Sequence, residues 1–181
     1  MTIRSRLFCC TILLMMIFDA SLAQEQRTSP LSITTSRYKD TYVKIVYSQP
    51  HKKGRDIFGK LVPYGEVWRT GANEATEITI TGDILVNDQE LKEGTYSIFT
   101  IPNEASWTVI FNADLGLWGS YNYNPKKDSL RIDVPVLVTN EVAEAFTIGI
   151  DPRNNEADFF FHWDKTKVVV PVQYKEPKPK H

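Results

Sequence analysis

The chain has 181 residues, with 21 basic and 22 acidic side chains and a formal net charge of −1. That balance gives no general attraction for polyanions and argues against nucleic-acid binding. The two cysteines, Cys9 and Cys10, both lie near the start, so once that segment is removed, disulfides, thiolate metal sites and cysteine nucleophiles are excluded.

In chain order, Arg4 and Arg6 precede the apolar run 7–18 and the small-residue segment Ala20-Ser21-Leu22-Ala23. This order of charge, apolar run and small residues predicts a signal peptide over 1–23, cut after Ala23. The run is too short to span a bilayer as a helix, and no later run is longer, so no membrane span is expected. Gln24 stands where a lipid anchor would need cysteine. The protein is therefore expected in the periplasm or outside the cell. Cleavage removes 23 of the 181 residues and leaves 158, enough for one domain with a sizeable core.

Residues 24–32 are polar and aperiodic and are expected to form a flexible lead-in to a domain over 33–173. Apolar residues then recur at a period of two, in runs rich in Val, Ile, Thr, Tyr and Phe. This pattern predicts strands over 42–47, 76–81, 84–86, 95–101, 107–111, 130–134, 145–150, 159–163 and 167–172, with a turn at Asn87-Asp88 and a hairpin tip at Asp164-Lys165. The tail 174–181, with two prolines among charges, is expected to be disordered. Helical crossovers are missing, which excludes a parallel α/β sheet. The fold class is all-β, an antiparallel β-sandwich or jelly-roll-like barrel with one long ordered loop.

That loop, 48–75, interrupts the strand pattern for 28 residues. Loops so long are usually functional or disordered, and Ile57, Phe58, Val62, Val67 and Trp68 are apolar enough to pin this one down. It gathers His51, Arg55, Glu66, Trp68, Arg69, Asn73 and Glu74, which are candidate ligand-binding residues. Two readings of the arginines stay open. Arg55 and Arg69 either pair with Asp56, Glu66 or Glu74 and lock the loop, or present their forked donors to a ligand. Tyr121 and Tyr123, in the segment 118–124 that interleaves rings with amides, are further candidates for stacking on a ligand face.

The enzyme case is thinner. No Gly-x-Ser-x-Gly elbow is present, and the three histidines, His51, His162 and His181, are not spaced as metal-ligand pairs. No cofactor or metal is expected. A site built from His51, His162 and Glu74 is the alternative, and would make the protein a small hydrolase or metal-dependent enzyme. The leading expectation is a non-catalytic ligand-binding or structural envelope module, with a small molecule, a glycan or an envelope protein as partner. Oligomeric state is not legible.

The block Val67-Trp68-Arg69-Thr70-Gly71-Ala72-Asn73-Glu74-Ala75-Thr76, with Ile57-Phe58-Gly59, Leu61-Val62-Pro63-Tyr64-Gly65, 94–102, 107–112 and Trp118-Gly119, resembles the bacterial family DUF2911. The resemblance spans roughly 33–173. It implies an exported, mostly β domain of the kind found largely in Bacteroidota, without an assigned activity and without catalytic residues to carry over.

Overall fold

The computed structural model describes residues 28–176. The expected signal peptide lies outside the described residues, as does the tail from 177 onward. Nine strands form one antiparallel sheet: β1 (Leu31–Tyr38), β2 (Thr41–Ser48), β3 (Ala72–Ile80), β4 (Ile84–Val86), β5 (Gln89–Leu91), β6 (Gly94–Pro102), β7 (Ser106–Asn112), β8 (Asp128–Arg153) and β9 (Glu156–Tyr174). Their order is β1-β2-β3-β6-β7-β8-β9-β4-β5.

The sheet does not close into a barrel, which settles the jelly-roll-like alternative. It folds over instead, because β8 serves two layers. The first part of β8 pairs with β7, from Ser106↔Pro135 to Asn112↔Asp128. From Val136 onward it pairs with β9, which in turn pairs with β4. The inner faces of both layers meet in one apolar cluster that includes Val43, Ile45, Ile78 and Val109 from the first layer and Phe146, Phe159, Phe161 and Val170 from the second. Tyr47 ties the layers together: its hydroxyl accepts from Ile148 N at 3.1 Å, and its ring meets Phe146 edge-on at 5.9 Å. Near the other end, Tyr38 stacks on Tyr174 at 5.6 Å.

Four expectations are corrected. β9 runs unbroken through Asp164-Lys165, so no hairpin tip lies there. Asp164 is polar for another reason: it sits at φ 53° and holds Lys52 of the long loop at 2.6 Å. The segments 130–134 and 145–150 are parts of the single strand β8. β1 begins at Leu31, inside the expected lead-in, and Tyr174 is buried in β9 rather than opening a disordered tail. The turn at Asn87-Asp88 is as expected, with both residues at positive φ (47° and 64°), the geometry of a two-residue hairpin loop joining β4 to β5.

Candidate functional site

Residues 49–71 contain no regular strand but are pinned at both ends and in the middle. At the start, Lys52 N donates to Glu144 O at 2.7 Å and Phe146 N to Pro50 O at 2.8 Å, fastening the loop to β8. Arg55 curls back on the same turn: Nε donates to Lys52 O at 2.9 Å and Nη2 to His51 O at 2.6 Å. In the middle, Val62 N donates to Ile57 O at 2.9 Å and closes a small turn that buries both side chains.

The far end is fixed by Trp68. β3 and β6 stay paired as far as Thr76↔Ile98, and beyond that point Trp68 takes the place beside β6. Its N–H donates to Thr100 O at 2.7 Å, and Thr100 N donates back to Trp68 O at 2.9 Å. The indole reaches inward to Phe58, Trp107, Phe146 and Trp163, and lies nearly parallel to Trp163 at 6.0 Å. Behind it the chain bends sharply. Thr70 and Asn73 both sit at positive φ (57° and 59°), and a β-branched residue there is an outlier that costs about 1–3 kcal/mol. Fully buried Thr70 is held nonetheless, since Thr76 Oγ1 donates to Thr70 O at 2.6 Å and Thr70 Oγ1 to Thr100 Oγ1 at 3.1 Å.

Between the loop and the sandwich lies a cavity of about 490 Å³, within the range of small-molecule pockets. It brings together six of the nine residues singled out from the sequence: His51, Arg55, Glu66, Trp68, Arg69 and Asn73. The other three lie elsewhere. Glu74, next along β3 and so on the opposite side from Asn73, lines a separate cleft with Leu31 and Val46. Tyr121 follows the lining residue Ser120 and is 85% exposed. Tyr123 packs on Phe99, outside the cavity. Sequence reasoning missed Lys53 and Trp163 as lining residues. Trp163 falls within a strand pattern that reads as core alone.

Arg69 is the anomaly of the site. Its Nε–H is buried with no hydrogen-bond acceptor, and none of the ion pairs among the described residues uses it. Burial holds its pKa below the usual arginine value, with Tyr121 opposing the shift. Among the described residues, the locking carboxylate pair, one of the two readings open for Arg55 and Arg69, is thus not formed by either residue. Removing the guanidinium strands no carboxylate. Arg69→Met is therefore expected to keep the urea midpoint or raise it, with a change in stability within about 0.5 kcal/mol if negative. A paired, buried arginine would cost about 3–5 kcal/mol instead.

The alternative metal site is not assembled. Among the described residues no group of three or more His, Cys, Asp or Glu side chains is arranged to hold a metal ion. His162 places its Nε2 3.2 Å from Thr139 Oγ1. Nor is any described helix long and apolar enough to cross a membrane.

Tyr123 has a structural role of its own. Its hydroxyl donates to Asp128 Oδ2 at 2.7 Å and accepts from Arg131 Nη1 at 2.9 Å. Burial, then the hydrogen bond to Asp128, pushes its pKa from 10.0 up to about 12. Because the folded-state value is the higher one, this stabilisation is fully present below about pH 10 and is lost as pH rises through about 12. Over that window the urea midpoint of Tyr123→Phe is expected to fall less than that of the parent protein. Equal falls would assign the loss to other groups.

The family described as "Protein of unknown function (DUF2911)" matches residues 29–172. No curated protein and no solved structure matches the chain.

Proposed function

The chain belongs to the DUF2911 family, and from that premise we propose that its domain is a non-catalytic binding module that takes a small molecule into the cavity beneath the 48–75 loop. The observation that carries this reading is Arg69, a partly buried cation on the cavity wall with an unpartnered Nε–H. Burying a charge without a partner is costly, and here the cost comes with strained backbone at Thr70, the next residue. Strain and an uncompensated charge at one place are what a site poised for a ligand carries. The cavity also favours binding over catalysis. Besides three cations, Asn73 and Glu66 it is lined by His51 and the hydroxyls of Thr28, Ser29 and Ser120, but among the described residues no hydrogen bond holds the His51 ring or Glu66 against one of those hydroxyls.

Under this reading the module works in the bacterial envelope after loss of residues 1–23. The intact mass of protein from that fraction is expected to correspond to a chain starting at Gln24, and retention of residues 1–23 would contradict it.

Two fluorescent probes test the binding itself: anilinonaphthalene sulfonate and its uncharged parent, N-phenylnaphthylamine. At least one is expected to bind saturably at one site per chain and to lose affinity in Ser120→Trp, which places an indole on the cavity wall. Absence of saturable binding by both probes, or binding indifferent to Ser120→Trp, would refute the proposal.

A further inference from the structure

We infer that the ligand of this cavity is an amphipathic organic anion, with a carboxylate-type head on the Arg69 guanidinium and an apolar body against Leu61, Pro63 and Trp68. The inference rests on the binding reading above and narrows it to one chemical class.

Charge comes first. The wall carries Lys53, Arg55 and Arg69 against the single acid Glu66, and Glu66 is exposed. The cations are not equivalent. Arg55 already spends Nε and Nη2 on the carbonyls of Lys52 and His51, and it is exposed, as is Lys53. Arg69 alone is sheltered and uses none of its donors on a carboxylate, so an incoming anion gains most there. Burial has removed much of the water that would otherwise compete.

The shape of the donor then narrows the head group. A guanidinium is a planar fork that matches the two oxygens of a carboxylate, or the similar edge of a sulfonate, in a bidentate pair. A phosphate dianion is typically cradled by several N–H groups at a helix N-terminus or a backbone nest. This wall offers strand and loop backbone and one free fork.

The remaining lining sets the body of the ligand. Leu61, 43% exposed, and Pro63, also exposed, line the cavity together with the 7% of Trp68 that is not buried. An apolar or aromatic group gains from covering this surface, whereas a small hydrophilic anion would leave it wet. Size agrees, since about 490 Å³ exceeds what a bare inorganic ion needs.

The matched probes separate this inference from the reading beneath it, because they share a ring system and differ in the sulfonate. The parent protein is expected to bind anilinonaphthalene sulfonate about 10- to 100-fold more tightly than N-phenylnaphthylamine, the range that charge-assisted hydrogen bonds supply. Arg69→Met should remove that preference while leaving affinity for the uncharged probe within about threefold. Phenylbutyrate should displace the sulfonate probe, and inorganic phosphate at the same concentration should not. Arg69→Gln is the second variant, with circular dichroism melting run on both to establish folding. Equal affinity for the two probes, a preference that survives in both variants, or displacement by phosphate as effective as by phenylbutyrate would overturn the inference and leave the binding reading standing. Failure of both probes to bind would remove the binding reading as well.

Discussion

Replacing Trp68 with alanine is expected to lower the unfolding free energy by about 3–5 kcal/mol, the range for deleting a large buried aromatic side chain. The indole is 7% exposed and meets Phe58, Trp107, Phe146 and Trp163. Its Nε1 also donates to Gly71 O at 3.1 Å, so truncation frees the carbonyl at the tightest point of the bend. Neighbours cannot easily close the gap: Trp163 is anchored through Nε1 to Glu144 O at 3.2 Å, and Phe58 is fixed in the loop. A loss of this size is a large fraction of the roughly 5–15 kcal/mol that holds a domain folded. The urea midpoint should drop sharply, while Trp118→Ala, at a ring 59% exposed, should change stability by less than about 0.5 kcal/mol. A Trp68→Ala protein as stable as Trp118→Ala would mean that the loop is not part of the cooperative core.

The second large effect is expected at Gly71, where a single methyl group meets backbone on one side and a fixed hydroxyl on the other. A Cβ there would lie 2.9 Å from Ser48 O and 3.2 Å from Thr76 Oγ1. Neither can retreat freely. Ser48 pairs with Ala72 between β2 and β3, and Thr76 Oγ1 is committed to Thr70 O. The residue also sits at φ 157°, which side-chain-bearing residues rarely adopt. Gly71→Ala should therefore cost about 1–3 kcal/mol in backbone conformation and about 1–3 kcal/mol more in crowding. Gly54→Ala separates the two terms, because Gly54 is also at positive φ (70°) but has open space around its Cβ position. It should show the conformational cost alone. Since Gly71 fixes the backbone beside Arg69, the alanine variant should also bind anilinonaphthalene sulfonate more weakly, whereas Gly54→Ala should not.

How far the sequence carried depended on whether burial followed the local pattern. β2 reads cleanly because Val43, Ile45 and Tyr47 turn inward and alternate with half-buried neighbours. β1 inverts that rule. Leu31 and Ile33 are each 58% exposed, while Ser32, Thr34 and Ser36 take the more sheltered side, so alternation alone points to no core-facing strand. β5 is three residues long with only Leu91 buried, too short to carry a period. Asp164-Lys165 looked like a turn because polarity usually marks the surface, whereas Asp164 is polar to hold Lys52 across the cavity-bearing loop.

The candidate site was legible as a segment but not as a geometry. The loop's apolar residues correctly marked it as ordered, and most of its chemistry-bearing residues do share one cavity. What sequence could not reveal is that, among the described residues, neither Arg55 nor Arg69 keeps a carboxylate. Glu66 and Glu74 stand three and five positions from Arg69, close enough in the chain to suggest a lock. The strand geometry of β3 sends Asn73 and Glu74 to opposite sides, and the pairing of Trp68 with Thr100 orients the segment before it. Both are tertiary decisions. Trp163 joins the site in the same way, as a core residue of β9 that becomes a wall only once the loop is laid over it.

The most direct measurement is a crystal structure of the protein grown with phenylbutyrate, read at the Arg69 guanidinium. The account requires density for the ligand in the cavity, its carboxylate oxygens about 2.7–2.9 Å from the guanidinium nitrogens and its ring beside Leu61, Pro63 and Trp68. A cavity without ligand, with Arg69 paired instead to a carboxylate of its own chain, would contradict it.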